Sequence, residues 1–152
     1  MLRVRHAVPG DLSAFLEIAH DAATGAQWDQ RLYQRILARE MPERVALLME
    51  EDGHPLGFLV AREAVGEWEL ENIAVRSQER GRGLGSRLLG EFMDLARRRN
   101  GRAVFLEVRE SNLAARALYQ QWAFAETGRR KSYYQNPPED ALVFRFIFSP
   151  EA

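Results

Sequence analysis

Leu70-Glu71-Asn72-Ile73-Ala74-Val75 runs through a polar loop into Arg80-Gly81-Arg82-Gly83-Leu84-Gly85-Ser86. The first stretch reads as the end of a strand that begins at Glu67. Behind the glycines, Leu84, Leu88, Leu89, Phe92 and Ala96 make one apolar helical stripe, which Asn100-Gly101 stops. Strand, glycine loop and helix in this order suit a phosphate. Glycines let backbone N–H groups approach closely, and the helix N-terminus adds partial positive charge. Arg76, Arg80, Arg82 and Arg87 add full charges nearby. The plain alternative is a glycine-rich turn with solvated arginines.

Two phosphate motifs fit poorly. A P-loop needs Gly-Lys-Ser/Thr after its first glycine, and the sequence has none. A dinucleotide fingerprint needs a third glycine where Ser86 stands. Glu107 lies near where its ribose-binding acid would fall, but three expected strands precede the loop, whereas that fingerprint opens its own unit.

Outward from the loop, helices are expected from Asp11 as N-cap, through Leu12, Phe15, Leu16, Ala19, Ala22 and Ala23, and over Gln30 to Glu40. Strands are expected at Arg44 to Glu50, Leu56 to Arg62 and Glu67 to Val75, with turns at Asp52-Gly53 and Gly66. After the glycine-loop helix come a strand from Ala103 to Arg109, a helix from Ser111 to about Gln121, and strands Glu126 to Tyr133 and Ala141 to Phe148. The order α-α-β-β-β-α-β-α-β-β predicts an α/β (α+β) fold with a mixed sheet flanked by helices.

The chain has 152 residues, 46% of them hydrophobic, which suits one domain over 1–152. Net charge is −1, which argues against bulk binding of nucleic acid or anionic membrane. The distribution is uneven. Glu40 to Glu71 holds 9 acidic and 2 basic residues, and Asn72 to Lys131 holds 13 basic and 6 acidic ones. There is no cysteine, so a disulfide and a cysteine nucleophile are excluded. His6, His20 and His54 show no ligand spacing, so no metal is expected. With no signal peptide and no long apolar run, a cytoplasmic protein, monomer or homodimer, is expected.

Arg80-x-x-Gly83-x-Gly85 resembles the acetyl-CoA pyrophosphate loop of the GNAT acetyltransferases. Leu70 to Val75 looks like the strand before that loop, Phe105-Leu106-Glu107-Val108-Arg109-Glu110-Ser111-Asn112 like the following strand and turn, and Ala114 to Tyr119 like the next helix. Within the family, Leu106 to Arg109 with Ser111-Asn112, Arg129 to Tyr134, Glu139-Asp140-Ala141 and Trp28 are most like the RimI-type protein N-terminal acetyltransferases. The resemblance implies the GNAT fold, with a mostly antiparallel mixed sheet, and acetyl-CoA as cosubstrate. The family's Leu-Tyr-x-x-x-Gly-Phe stands here as Leu118-Tyr119-Gln120-Gln121-Trp122-Ala123-Phe124, so alanine replaces glycine. That alanine needs an ordinary backbone conformation or carries strain.

The resemblance also implies roles. The pantetheine arm would pair with the backbone of Ile73, Ala74 and Val75. The pyrophosphate would sit on the N–H groups from Gly81 through Arg82, Gly83, Leu84 and Gly85 to Ser86, with Arg80 beside it, and Asn112 would bind the arm from the other side. Glu107, a carboxylate between Leu106 and Val108, is implied as the general base. Glu71 competes, because other branches place their base on the strand before the loop, and alternation gives Glu69 and Glu71 one face. The bland reading of Glu107 is a salt bridge to an arginine. Tyr119 would protonate the leaving thiolate, and Trp28, Tyr133 and Tyr134 would wall the acceptor groove; core or ordinary aromatic packing is the alternative for each. The acceptor is expected to be a protein α-amine. A small-molecule amine, or a sensor that binds acyl-CoA or a dinucleotide without turnover, stays open.

Overall fold

The computed structural model describes residues 1–22 and 28–149. Ala23, the last apolar position of the first expected helix, lies outside them.

Turn chemistry builds the first half of the sheet. Strands β2 (Arg44–Glu51) and β3 (His54–Ala64) pair antiparallel through Asp52-Gly53, whose φ angles are 51° and 84°. Positive φ at both central residues is what a tight hairpin of this hand requires. Val65-Gly66 repeats the device, with φ of 53° and 78°, and returns the chain as β4 (Glu67–Val75). One strand was absent from the expectation: β1 (Leu2–His6) pairs antiparallel with β2 at the sheet edge. Its Leu2 and Val4 alternate with Arg3 and Arg5, a pattern too short to stand out before the pairing is known. Both arginines reach Glu50 on β2, at 2.8 and 3.3 Å.

Among the described residues four helices cover the sheet: α1 (Leu12–Asp21), α2 (Gln30–Leu37), α3 (Leu84–Arg98) and α4 (Leu113–Gln121). Asp29 caps α2, its Oδ1 accepting from the Leu32 N–H at 2.9 Å. Asp11 stands at the N-cap position of α1, but its side chain makes no capping bond to that helix. Its Oδ2 accepts from the Val8 N–H at 2.8 Å, and its carboxylate binds Arg5 through two bonds of 2.9 Å. The carboxylate is drawn to a guanidinium on the neighbouring strand rather than to the helix end. The stripe of α3 is buried as expected, and the chain leaves that helix through Asn100 at φ 59°.

The remaining strands are β5 (Ala103–Arg109), β6 (Ala125–Tyr134) and β7 (Glu139–Ile147). The sheet runs β1-β2-β3-β4-β5-β7-β6, and every described pair is antiparallel except β4 with β5. Two cores lie on its faces. Trp68, Leu88, Phe92, Val104 and Phe144 fill the one under α3 and α4, and Phe15, Ile18, Tyr33, Phe58 and Val60 fill the one under α1 and α2. Among the described residues no helix is long and apolar enough to cross a membrane.

Candidate active site

The site begins with a break in the sheet. β4 and β5 pair only at Glu67 with Ala103, Trp68 with Val104 and Glu69 with Phe105. Past that point β4 stays with β3 as far as Val75, and β5 stays with β7 as far as Arg109. The strands part, and from Leu70 to Val75 the edge of β4 that faces β5 has no strand partner among the described residues. Unpaired backbone beside a cleft needs other hydrogen-bond partners. Ile73, Ala74 and Val75, the expected partners of the pantetheine arm, lie on this edge. Ile73 and Val75 pack their side chains on the α3-side core, so packing and backbone pairing are compatible.

Glu107 stands on the other lip. Its side chain is 14% exposed; Oε1 lies 3.3 Å from Nε of Arg130, and Oε2 is buried without a hydrogen-bond partner. Arg130 is on β6, beyond β7, so the contact crosses an intervening strand. The salt-bridge reading of Glu107 is thus met for one oxygen and not for the other. Tyr133 and Tyr134 sit close by, their rings edge to face at 5.2 Å. The negative charge of Glu107 is the leading cause that raises the Tyr133 hydroxyl above its ordinary pKa. Burial first, and then Glu107, push Tyr134 up to about 12. Arg130 lies 5.5 Å over the Tyr133 ring, and Arg109 lies 4.4 Å over that of Tyr134.

Tyr119, on α4, is buried, and burial holds its hydroxyl well above the ordinary tyrosine pKa, with Tyr134 adding to the shift. It is therefore a phenol held in its protonated form. The helix end fixes its place. The Phe124 N–H donates to the Tyr119 carbonyl at 3.0 Å, and the Ala123 N–H to that of Gln120 at 3.0 Å, a Schellman closure with the Tyr119 and Phe124 rings 5.8 Å apart. Ala123 has φ 66°, so the alanine in the family's glycine position keeps the left-handed conformation under strain.

Glu71 is placed differently. Between β3 and β4 the register steps from Val60 with Asn72 to Ala61 with Leu70, leaving Glu71 as the extra residue of a bulge. Its carboxylate is fully engaged: Arg44 donates through Nε to Oε1 at 2.7 Å and through Nη2 to Oε2 at 2.9 Å. Arg62 reaches both Glu69, at 2.9 Å, and Glu71, at 3.9 Å, so the two acids share a face as alternation required.

The bulge turns the rest of β4 over. Leu70 belongs to the core under α3, yet Ala74 belongs to the core under α1 and α2, although a regular strand would put both on one side. Asn72 goes with Ala74, and its Nδ2 donates to the Tyr33 hydroxyl at 3.0 Å. Tyr33 and Asn72 were not singled out from the sequence, because period 2 across the bulge assigns Asn72 to the wrong side. Arg130 was likewise given no role, since strand alternation says nothing about contacts across β7. Trp28 is half-buried against this second cluster, 5.5 Å from Tyr33. The structure groups Glu107 with Tyr119, Tyr133 and Tyr134, and places Trp28 with Tyr33.

The glycine loop offers open backbone. Gly81 (φ 84°) and Gly83 (φ 73°) take left-handed conformations, and nothing lies within 4 Å of where a side chain would begin. Gly83 is the N-cap of α3 and no side chain caps that end, so the first N–H groups, from Leu84, Gly85 and Ser86, face outward. The Ser86 hydroxyl accepts from Trp122 Nε1 at 3.0 Å, which leaves its N–H as the group for a ligand. Arg80 is exposed, while Arg82 is drawn to Glu51 and Glu79 at 2.9 Å each. Asn112 caps α4, its Oδ1 accepting from the Ala115 N–H at 3.1 Å, so its amide nitrogen is the end left for a ligand. The residues present fit a pyrophosphate-bearing cosubstrate: two open glycines, uncapped N–H groups and a guanidinium.

Known proteins agree with this architecture. The ribosomal protein bS18-alanine N-acetyltransferase of Escherichia coli is 35% identical over 103 residues, covering 66% of this chain and 70% of its own length. The N-alpha-acetyltransferase RimI of Mycobacterium tuberculosis is 44% identical over 79 residues, 52% of this chain and 48% of its own. The crystal structure of the ribosomal-protein-S18-alanine N-acetyltransferase from Escherichia coli superposes with a TM-score of 0.90 at 27% identity, covering 100% of this chain and 97% of that one. Residues 12–124 match the model of the acetyltransferase (GNAT) family. That span runs from α1 to the turn after α4 and takes in both strands that part, and the chain belongs to the GNAT family of acetyltransferases.

Proposed function

We propose that this chain transfers the acetyl group of acetyl-CoA to the N-terminal α-amine of a protein, by direct attack of the amine and with Glu107 as general base. The observation that carries the reading is Glu107 itself: a carboxylate at the lip of the split, with one buried oxygen unpartnered among the described residues and Tyr133 and Tyr134 beside it. Two relatives carry the name ribosomal protein bS18-alanine N-acetyltransferase, and their class of acceptor is the one proposed here.

Acetyl-CoA supplies the activated acetyl thioester. The N–H groups of Gly83 to Ser86 hold its pyrophosphate at the helix end, with Arg80 adding charge. The unpaired edge of β4 from Ile73 to Val75 takes the arm, with Asn112 opposite, and a backbone N–H there polarises the carbonyl. Glu107 accepts the proton that the amine loses as its nitrogen bonds to the acetyl carbon. Tyr119 gives its proton to the departing sulfur. An α-amine has a reference pKa of about 7.7–8.0 against about 10.4 for a lysine side chain, so neutralising it near pH 7 is easier by roughly 3–4 kcal/mol. Tyr133, about half exposed, Tyr134 and Trp28 wall the approach.

The test is acetyl transfer to short peptides of varied first residue, beside a panel of small amines. Free α-amine peptides should be acetylated, while the same peptides with a blocked first residue, carrying an internal lysine, should not. Turnover of small amines alone would refute the reading. Gly83→Val should abolish CoA binding in calorimetry while the fold is kept, because its side chain would fill the open space over the loop that the pyrophosphate needs, at a local cost from φ 73°.

A further inference from the structure

Asn72 is 4% exposed, and its amide is half satisfied. Nδ2 donates to Tyr33, a side chain that is itself buried, while Oδ1 is closed to solvent and has no partner among the described residues. An unpaired buried acceptor costs about 1–3 kcal/mol, and an apolar side chain of the same shape would avoid that cost. The position explains why the amide is there. Asn72 is the first residue past the bulge of β4, on the lip of the split opposite the β5 lip that carries Glu107. The last β4–β5 pair is Glu69 with Phe105, so Glu107 is two residues past it on its strand. With one residue taken up by the bulge, Asn72 is at the corresponding level on β4.

We propose that Asn72 Oδ1 accepts an N–H of the acceptor's primary amine, so that Asn72 and Glu107 hold the nitrogen from opposite lips; this rests on the amine-acetylation reading above. An attacking amine has one lone pair to aim and more than one N–H to place. One N–H goes to Glu107, which removes its proton, and a second goes to Asn72, which keeps the lone pair directed along the split. Tyr33 holds Nδ2, so Oδ1 is the end of the amide left for the amine. Asn72 is thus a substrate-binding residue and exchanges no proton.

The experiment measures KM and kcat with a peptide substrate, acetyl-CoA affinity by calorimetry, and thermal melting, for wild type, Asn72→Leu, Asn72→Asp and Tyr33→Phe. A substrate N–H left without an acceptor in the site predicts a rise of roughly 10–100-fold in peptide KM for Asn72→Leu, with acetyl-CoA affinity unchanged. Asn72→Asp keeps the acceptor and should hold KM within about threefold, and Tyr33→Phe should give a smaller rise than Asn72→Leu. A peptide whose first nitrogen carries a methyl group has one N–H fewer. Wild type should discriminate against it, and Asn72→Leu should lose that discrimination, which a purely structural role would not produce. An unchanged KM in folded Asn72→Leu, or an equal loss in Asn72→Leu and Asn72→Asp, overturns the proposal. If wild type turns over small amines in place of peptides, the peptide reading fails by itself, and the same KM ratio on that amine decides this one.

Discussion

The two strands that part each bring a carboxylate to the split, and the two are treated differently. Glu71 on β4 and Glu107 on β5 are nearly equal in exposure, at 12% and 14%. Glu71 is gripped at both oxygens by Arg44, itself 14% exposed, with Arg62 behind it. Glu107 has one ion pair, of 3.3 Å, with an arginine that is 59% exposed, and its Oε2 has no hydrogen-bond partner among the described residues. Burial therefore does not distinguish the two acids; the number and hold of their partners do. A carboxylate held at both oxygens by a guanidinium is stabilised in its charged form and takes up a proton at the expense of that ion pair, whereas one with an unpartnered oxygen and an exposed cation gives up less.

The sharpest way to break this contrast is to neutralise each acid. Glu107→Gln should lower kcat by about 10²–10⁴-fold at saturating acetyl-CoA with little change in acetyl-CoA affinity, as expected for lost general base catalysis. Tyr119→Phe should lower kcat as well, and the two losses need not multiply because both groups serve one transition state. Glu71→Gln should do the reverse, keeping most of the turnover and costing stability. Removing one partner of a buried ion pair costs roughly 3–5 kcal/mol, and the residual exposure of this pair reduces that to about 2. In a chain of this size about 2 kcal/mol is a fall of roughly 4–8 °C in Tm. A large activity loss in Glu71→Gln with a stable, active Glu107→Gln would invert the assignment.

A subtler comparison uses Tyr133 as a reporter of the Glu107 lip. Glu107 raises its pKa and Arg130 lowers it. Glu107→Gln should bring the Tyr133 titration down and Arg130→Gln should push it further up, read by tyrosinate absorbance with Tyr133→Phe as the blank. Movement in one direction for both variants would mean that the three side chains are not grouped as described. Tyr134, raised to about 12, adds a pH dependence of stability. The neutral phenol is favoured by folding, so its contribution is complete below the unfolded value near pH 10 and is lost as pH rises from there through about 12. Tyr134→Phe should flatten that alkaline decline.

Much of this arrangement was legible in residues whose meaning is local. The α3 stripe, the glycines before it, the Asp52-Gly53 turn and Glu107 among apolar neighbours can each be read from spacing alone. What escaped depends on pairing. The short β1 shows only as a partner of β2. The bulge at Glu71 moves Asn72 to the other face, and no period announces a one-residue insertion. The Glu107–Arg130 contact spans β7, so it needs the strand order β5-β7-β6, which the chain order conceals. Trp28, grouped in expectation with Tyr133 and Tyr134, lies with Tyr33, since aromatic residues alone do not say which of two cores they join.

The smallest expected effect tests how firmly the Glu107 side is framed. Ala123 closes α4 at φ 66°, where an L-residue costs about 1–2 kcal/mol over the right-handed form. Glycine removes that cost but loses about 0.5–1 kcal/mol to the greater freedom of the unfolded chain. The Ala123 methyl is exposed, so little packing is lost with it. Ala123→Gly should therefore stabilise by about 0.5–1 kcal/mol, a rise of roughly 1–4 °C in Tm. Turnover should be unchanged, because Tyr119 is held by the backbone bonds from Ala123 and Phe124 and by contact with Phe124, none of which needs the methyl. A changed kcat with an unchanged Tm would show that the strained turn sets where the Tyr119 hydroxyl lies, and the phenol would then belong to the tuned part of the site.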